Sequence, residues 1–201
     1  MNNMTKKPDR RIQRTRQLLQ ESIISLILEK GYQKITVQNI IDRANVGRST
    51  FYSHFRDKED LLISSFEELA LDLHRHIPPA TSNDLNQEHL IHSLAFFAHA
   101  HNNREVYMAL IESGGSDKLL QLTQEYIQDH IEAHLDQFPT IDKEIPLPVI
   151  TNFLAGSLLN MIIWWLEQKI PYTPQEMDAM FNALAMPGIR SMMYQSKASG
   201  K

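Results

Sequence analysis

The sequence predicts an all-α protein: a three-helix N-terminal domain joined by a connecting helix to a larger helical domain, about nine helices in all. Three observations carry this. Apolar residues recur at helical spacing along almost the whole chain. No segment of four or more residues shows the alternation of a half-buried strand bounded by turn residues. Charge then divides the chain, because residues 1–60 hold 12 Lys and Arg against 7 Asp and Glu, a balance of +5, whereas residues 61–201 hold 8 against 17, a balance of −9. A basic module on an acidic body confines attraction for phosphate to one end.

Taken in order, Ile12, Leu19, Ile23 and Ile27 form the stripe of a first helix that ends near Lys30, where Gly31 lets the chain turn out without a Cβ clash. Thr36 has the chemistry of an N-cap, and Val37, Ile40, Ile41 and Ala44 give the following two turns an apolar face. Asn45 occupies the next turn, since asparagine tolerates positive φ, and Val46 seals that turn against Ile41. A third short helix covers Arg48 to Phe55, with Phe51 and Phe55 four apart on its inner side. Asp57 caps a fourth helix through Leu62, Phe66, Leu69 and Leu73, which Pro78 and Pro79 stop. These elements place a domain boundary after residue 56, giving domains 1–56 and 57–201.

Beyond a polar loop over 81–86, helices are expected around Leu90 to His101, Arg104 to Ser113 (closed by Gly114 and Gly115) and Asp117 to Gln137. Pro139, Pro146 and Pro148 bracket the next loop. The helix from about Val149 to Lys169 is apolar on most of its circumference, through Phe153, Leu154, Leu158, Met161, Ile162, Trp164 and Trp165, so one face needs a cover beyond its own core. Thr173, Pro174 and Glu176 make a capping box for a last helix over about 174–186, carrying Met177, Met180, Phe181 and Leu184.

Several function classes lose their footing here. The chain has no cysteine, hence no disulfide, thiolate metal site or cysteine nucleophile. The most apolar stretch, Phe153 to Leu166, has 14 positions against the roughly 20 of a spanning helix, and the polar N-terminus lacks a secretory core. The expectation is a cytoplasmic protein with no membrane contact. No nucleophile and base pattern, phosphate-cradling glycine loop or paired carboxylates appear, so neither enzyme nor cofactor is expected.

Two short helices around a tight turn, the second opening with Arg and small polar residues, describe a helix-turn-helix whose second helix enters the DNA major groove. With Phe51 and Phe55 inward, the helical period turns Arg48, Ser49, Tyr52 and Ser53 outward. Arg48, whose guanidinium can pair bidentately with guanine, is the candidate base reader, with Ser49 and Ser53 beside it. Thr36, Tyr52, His54 and Lys58 suit phosphates, which fix register. A helix start shifted by one residue exchanges the parts of Arg48 and Ser49. The basic arm of Lys6, Lys7, Arg10 and Arg11 serves equally as a DNA contact or as a solvated terminus.

Gly31-Tyr32, Thr36, Ala44-Asn45-Val46, Phe51-Tyr52-Ser53-His54-Phe55 and Lys58-Glu59 resemble the DNA-binding region of the TetR family of bacterial regulators, over roughly residues 12–62. Asn45 replaces the family's usual glycine, and Gly47 stands where a capping Ser or Thr is common. Ile163 to Glu167 followed by Pro171 to Met177 is similar to the C-terminal body of a subgroup. The resemblance implies a homodimer formed through the last two helices (about 149–169 and 174–186), a double-stranded DNA operator as partner and a small-molecule effector. It also implies that Phe96, Phe97, His101, Tyr107, Met108, Tyr126, Met161 and Trp164 lie on the helices that surround the effector, although each serves equally well as plain core. His130 with His134, and His89 with His92, have metal-gripping spacing but no third ligand defined by sequence, so no metal site is assigned. The reading from another class is a helical ligand-carrier or interaction module without DNA readout; a TetR-like activator is the third.

Overall fold

A computed structural model describes residues 10–77, 92–113, 117–135, 145–168 and 172–195. Among them run nine α-helices and one 3-10 turn, and no strand: α1 (Arg10–Lys30), the turn Tyr32–Lys34, α2 (Val37–Ala44), α3 (Arg48–His54), α4 (Lys58–His76), α5 (Ser93–Asn102), α6 (Arg104–Glu112), α7 (Asp117–Leu135), α8 (Leu147–Glu167) and α9 (Pro174–Gln195). Lys6, Lys7, Pro78, Pro79, the loop over 81–86, His89, Leu90, Gly114, Gly115 and Pro139 lie outside the described residues. The chain forms two compact units, Met1–Leu71 with Met108–Ser116, and Asp72–Tyr107 with Asp117–Lys201.

The first unit buries Leu19, Ile23, Leu26 and Ile27 of α1 against a core that includes Ile40, Ile41, Ala44, Phe51, Phe55, Leu61, Leu62 and Phe66. Ile12, expected in the α1 stripe, is instead half exposed, because its helix reaches the core only from Leu19 onward. Gly31 ends α1 at φ 76° and ψ 150°, a region open in practice to glycine alone. A Cβ there would sit 3.0 Å from the Cβ of Ser113. Thr36 caps α2 as expected, its hydroxyl accepting from the Asn39 amide at 3.2 Å while the Asn39 side chain accepts from the Thr36 amide at 3.1 Å. Asn45 adopts the left-handed conformation (φ 51°, ψ 50°), and the Val46 amide bonds the Ile41 carbonyl at 3.2 Å, closing the turn.

In the second unit α7 packs on α8 and α5 on α9, around Phe97, Ile127, Ile131, Leu154, Leu158 and Phe181. α8 begins at Leu147, earlier than expected, because Pro148 falls in the first turn, where its missing N–H is not needed. The resulting 21-residue helix is, by length and composition, able to cross a membrane, unlike the 14-residue stretch read from the sequence. Eight of its 21 residues are buried in the unit. α9 does not stop before Pro187 but continues to Gln195. Met186 and Ile189, buried on either side of the proline, anchor the helix across the lost hydrogen bond. Leu184 is 79% exposed, so it does not join Met177 and Phe181 in the core.

A buried polar group fastens α5 to α9. Ser93 donates to the Asp178 carboxylate, and the Asn182 amide reaches Asp178 Oδ1 at 2.9 Å and Ser93 Oγ at 3.0 Å. Asp178→Ala leaves the other two buried without that acceptor and is expected to lower stability by about 1–3 kcal/mol. Gly31→Ala is expected to cost about as much, 1–3 kcal/mol, through its backbone conformation and the Ser113 contact. Urea unfolding midpoints check both.

Candidate nucleic-acid interface

α3 has only seven residues, too few to persist without packing. Its two rings supply that packing: Phe51 is fully buried, Phe55 is 3% exposed, and their centroids lie 6.2 Å apart. Arg16 holds Phe55 from α1, with its guanidinium carbon 4.6 Å from the ring centroid and Nη2 donating to Ser64 Oγ of α4 at 2.6 Å. Gly47 occupies the N-cap position without a side-chain bond, and α3 starts at Arg48, with no shift.

With the rings inward, Arg48, Ser49, Tyr52 and Ser53 are exposed, and His54 is half-buried at the helix end. Tyr52 packs edge-on to Phe51 at 5.3 Å and stays 51% exposed. Ser53 donates to the Thr50 carbonyl at 2.7 Å, which leaves its oxygen lone pairs facing out as acceptors. Thr36 is exposed at the opening of α2. Neighbouring cations are bound within the protein: Arg43 to Glu29 and Ser25, both at 2.6 Å, and Arg56 to Asp60 at 2.9 Å. The Arg56 side chain and amide hold the Asp60 carboxyl below its ordinary pKa. Arg48 carries no such bond among the described residues, so its charge is available at the surface.

Lys58 has a different placement. Its ammonium donates to the carbonyls of Tyr32 at 3.2 Å and Ile35 at 3.0 Å and sits 4.4 Å from the Tyr32 ring centroid. Desolvation lowers its pKa, and burial together with Glu59 and Asp57 pushes the Tyr32 phenol up to about 12. Two of the three ammonium protons are thus directed inward, which the sequence reading of Lys58 as a phosphate contact did not anticipate. That reading also missed Asn39 and Ser113. Asn39 sits at the capping-box position after Thr36; nothing local marks Ser113, which lies 81 residues from its partner Tyr32.

The eight residues expected around an effector have varied surroundings. Phe96 is buried against Tyr126 at 6.5 Å and His130 at 5.6 Å. Phe97 is fully buried between Trp165 at 5.8 Å and Phe181 at 6.4 Å. His101 is exposed and stacks on Trp165. The Tyr107 hydroxyl meets His99 Nε2 at 3.1 Å, and burial raises its pKa. Met108 belongs to the first unit, whereas the other seven belong to the second. Met161 is half-buried; of the adjacent tryptophans Trp165 faces the core, and Trp164 is 45% exposed. His92 joins the His130 and His134 pair, 6.1 and 4.8 Å away by centroid, yet no group of three such ligands able to hold a metal ion occurs among the described residues.

Comparison with known proteins agrees with this architecture. The family model for bacterial regulatory proteins of the tetR family matches residues 21–64, and a model described as a transcriptional regulator C-terminal region matches residues 88–187. The chain is 23% identical over 183 residues to YxbF, a helix-turn-helix-type transcriptional regulator of Bacillus subtilis (strain 168), covering 88% of this chain but 46% of that protein. It thus spans about half the length of that relative. It is 25% identical to the transposon Tn10 TetC protein of Escherichia coli, over 74% of this chain and 79% of that one. A TetR transcriptional regulator of Streptococcus agalactiae 2603V superposes with a TM-score of 0.69 at 29% identity, covering 88% of this chain and 96% of the other. With both parts of the sequence matched and the helical fold shared, the chain belongs to the TetR family of bacterial transcriptional regulators.

Proposed function

We propose that this protein is a dimeric repressor that places two copies of α3 in successive major grooves of a pseudo-palindromic operator and is released when a small molecule binds its C-terminal body. The observation that carries the reading is the face of Arg48, Ser49, Tyr52 and Ser53, exposed on a helix whose opposite side is fixed by Phe51 and Phe55. Arg48 reads a base edge with Ser49 and Ser53 beside it, and Thr36, Tyr52 and His54 hold phosphates. Half-sites then lie about one helical turn apart, on the order of 34–36 Å.

The dimer has its own support. Val149, Phe153 and Trp164 of α8 are 56%, 63% and 45% exposed, and Leu184 of α9 is 79% exposed. Val149 and Phe153 stand four apart on α8 and Trp164 eleven beyond Phe153, a helical spacing that puts the three on one exposed face with the polar Asn160 between, which a second copy would cover. Release requires only that the effector prefer a conformation in which the two α3 helices mismatch the operator. Phe96 and Tyr126 are the aromatic pair on which an apolar effector would rest.

Binding to DNA from upstream of the protein's own gene tests the reading. Arg48→Ala should cost about 1–3 kcal/mol of specific affinity and spare non-specific binding; equal loss on every duplex would assign Arg48 to phosphate. No shift with any duplex favours a ligand-carrier, and a reporter that falls silent without the protein marks an activator. Phe153→Asp should convert the dimer to a monomer on gel filtration, and an unchanged dimer would place the interface elsewhere.

A further inference from the structure

We infer that Lys58 and Ser113 are positioning residues for DNA binding, clamping from two sides the Gly31–Ile35 turn that sets the entry into α2. Lys58, the first residue of α4, takes the carbonyls of Tyr32 and Ile35 and covers the Tyr32 ring. Ser113, at the end of α6, accepts from the Tyr32 amide at 3.2 Å. The Ser113 hydroxyl donates to the Leu110 carbonyl at 3.2 Å, which orients its lone pairs toward that amide. Gly31 allows the contact because its missing Cβ is the atom Ser113 would strike. Both backbone polar groups of Tyr32 are therefore held by side chains from outside the helix-turn-helix.

The turn leads directly into Thr36, the N-cap of α2, and α2 in turn supports α3 through the closure at Asn45 and Val46. Five residues with a glycine-only backbone at one end would let α2 choose among several entry angles. Two clamps leave one. A shift of α2 carries α3 with it, so a loosened turn lowers affinity for the operator through the geometry of Arg48, without removing any contact to phosphate. This assignment rests on the DNA-binding reading above.

The test uses the full-length protein and a duplex enriched by the wild type from a random-sequence pool, with affinity measured over a salt series and against an unrelated duplex. Lys58→Met should weaken specific binding about tenfold, the scale of a lost hydrogen bond from a charged group. The salt slope should stay at the wild-type value, whereas a lost phosphate contact lowers it by about 0.9. Lys58→Arg, which keeps two donors, should restore most of the affinity. Ser113→Ala should weaken specific binding about fivefold, the scale of a neutral hydrogen bond. It should also speed hydrogen exchange at the Tyr32 amide without a general rise. The double substitution should cost less than the sum, because both act on one turn. A reduced salt slope for Lys58→Met, or wild-type binding by Ser113→Ala, overturns the inference. A wild type that enriches no duplex overturns the DNA-binding reading itself, and the inference with it.

Discussion

The burial of Phe51 and Phe55 on one side of a seven-residue helix is the constraint from which the rest of the interface follows. So short a helix has no stability of its own, and everything it displays is decided by what it hides. Once the two rings are in the core, the helical period leaves Arg48, Ser49, Tyr52 and Ser53 no position but the surface. The core receives the rings only because α1, α2 and the start of α4 already surround that space, and Arg16 ties two of those helices across Phe55. Packing and display are two sides of one helix.

Local chemistry was legible in the sequence wherever a residue acts on its own few neighbours. Thr36 as a cap, Asn45 in the left-handed region, Gly31 at positive φ and the box of Thr173 with Glu176 all appear as read, because each depends on spacings of one to four residues. Contacts between distant segments were not legible. The Lys58 ammonium finds carbonyls 23 and 26 residues away, and Ser113 finds an amide 81 away, so no local pattern announces either. Ile12 and Leu184 matched the helical period yet point away from the core, because periodicity identifies a face without saying how far the neighbouring helix extends. Pro187 stops a helix in isolation, but buried residues on both sides carry α9 through it.

The second unit resolves its demands differently. Its core is aromatic and aliphatic, but α5 and α9 are joined by the hydrogen bonds among Ser93, Asp178 and Asn182. Such a group fixes register more sharply than apolar packing, since a slip by one residue strands a buried carboxylate. α8 divides its apolar surface between the core and an open strip, which explains both its hydropathy and the repeated exposure of large side chains along it. Of the residues expected from family resemblance around an effector, Phe96 and Phe97 are buried and His101 and Trp164 are exposed, so side-chain type alone does not announce burial here.

The central claim is that α3 reads DNA as one of two symmetry-related copies. Hydroxyl-radical footprinting of the full-length protein on its enriched duplex tests it most directly. The account predicts two protected patches related by a two-fold axis, their centres about one helical turn apart. A single patch, or protection with no relation to sequence symmetry, would contradict it.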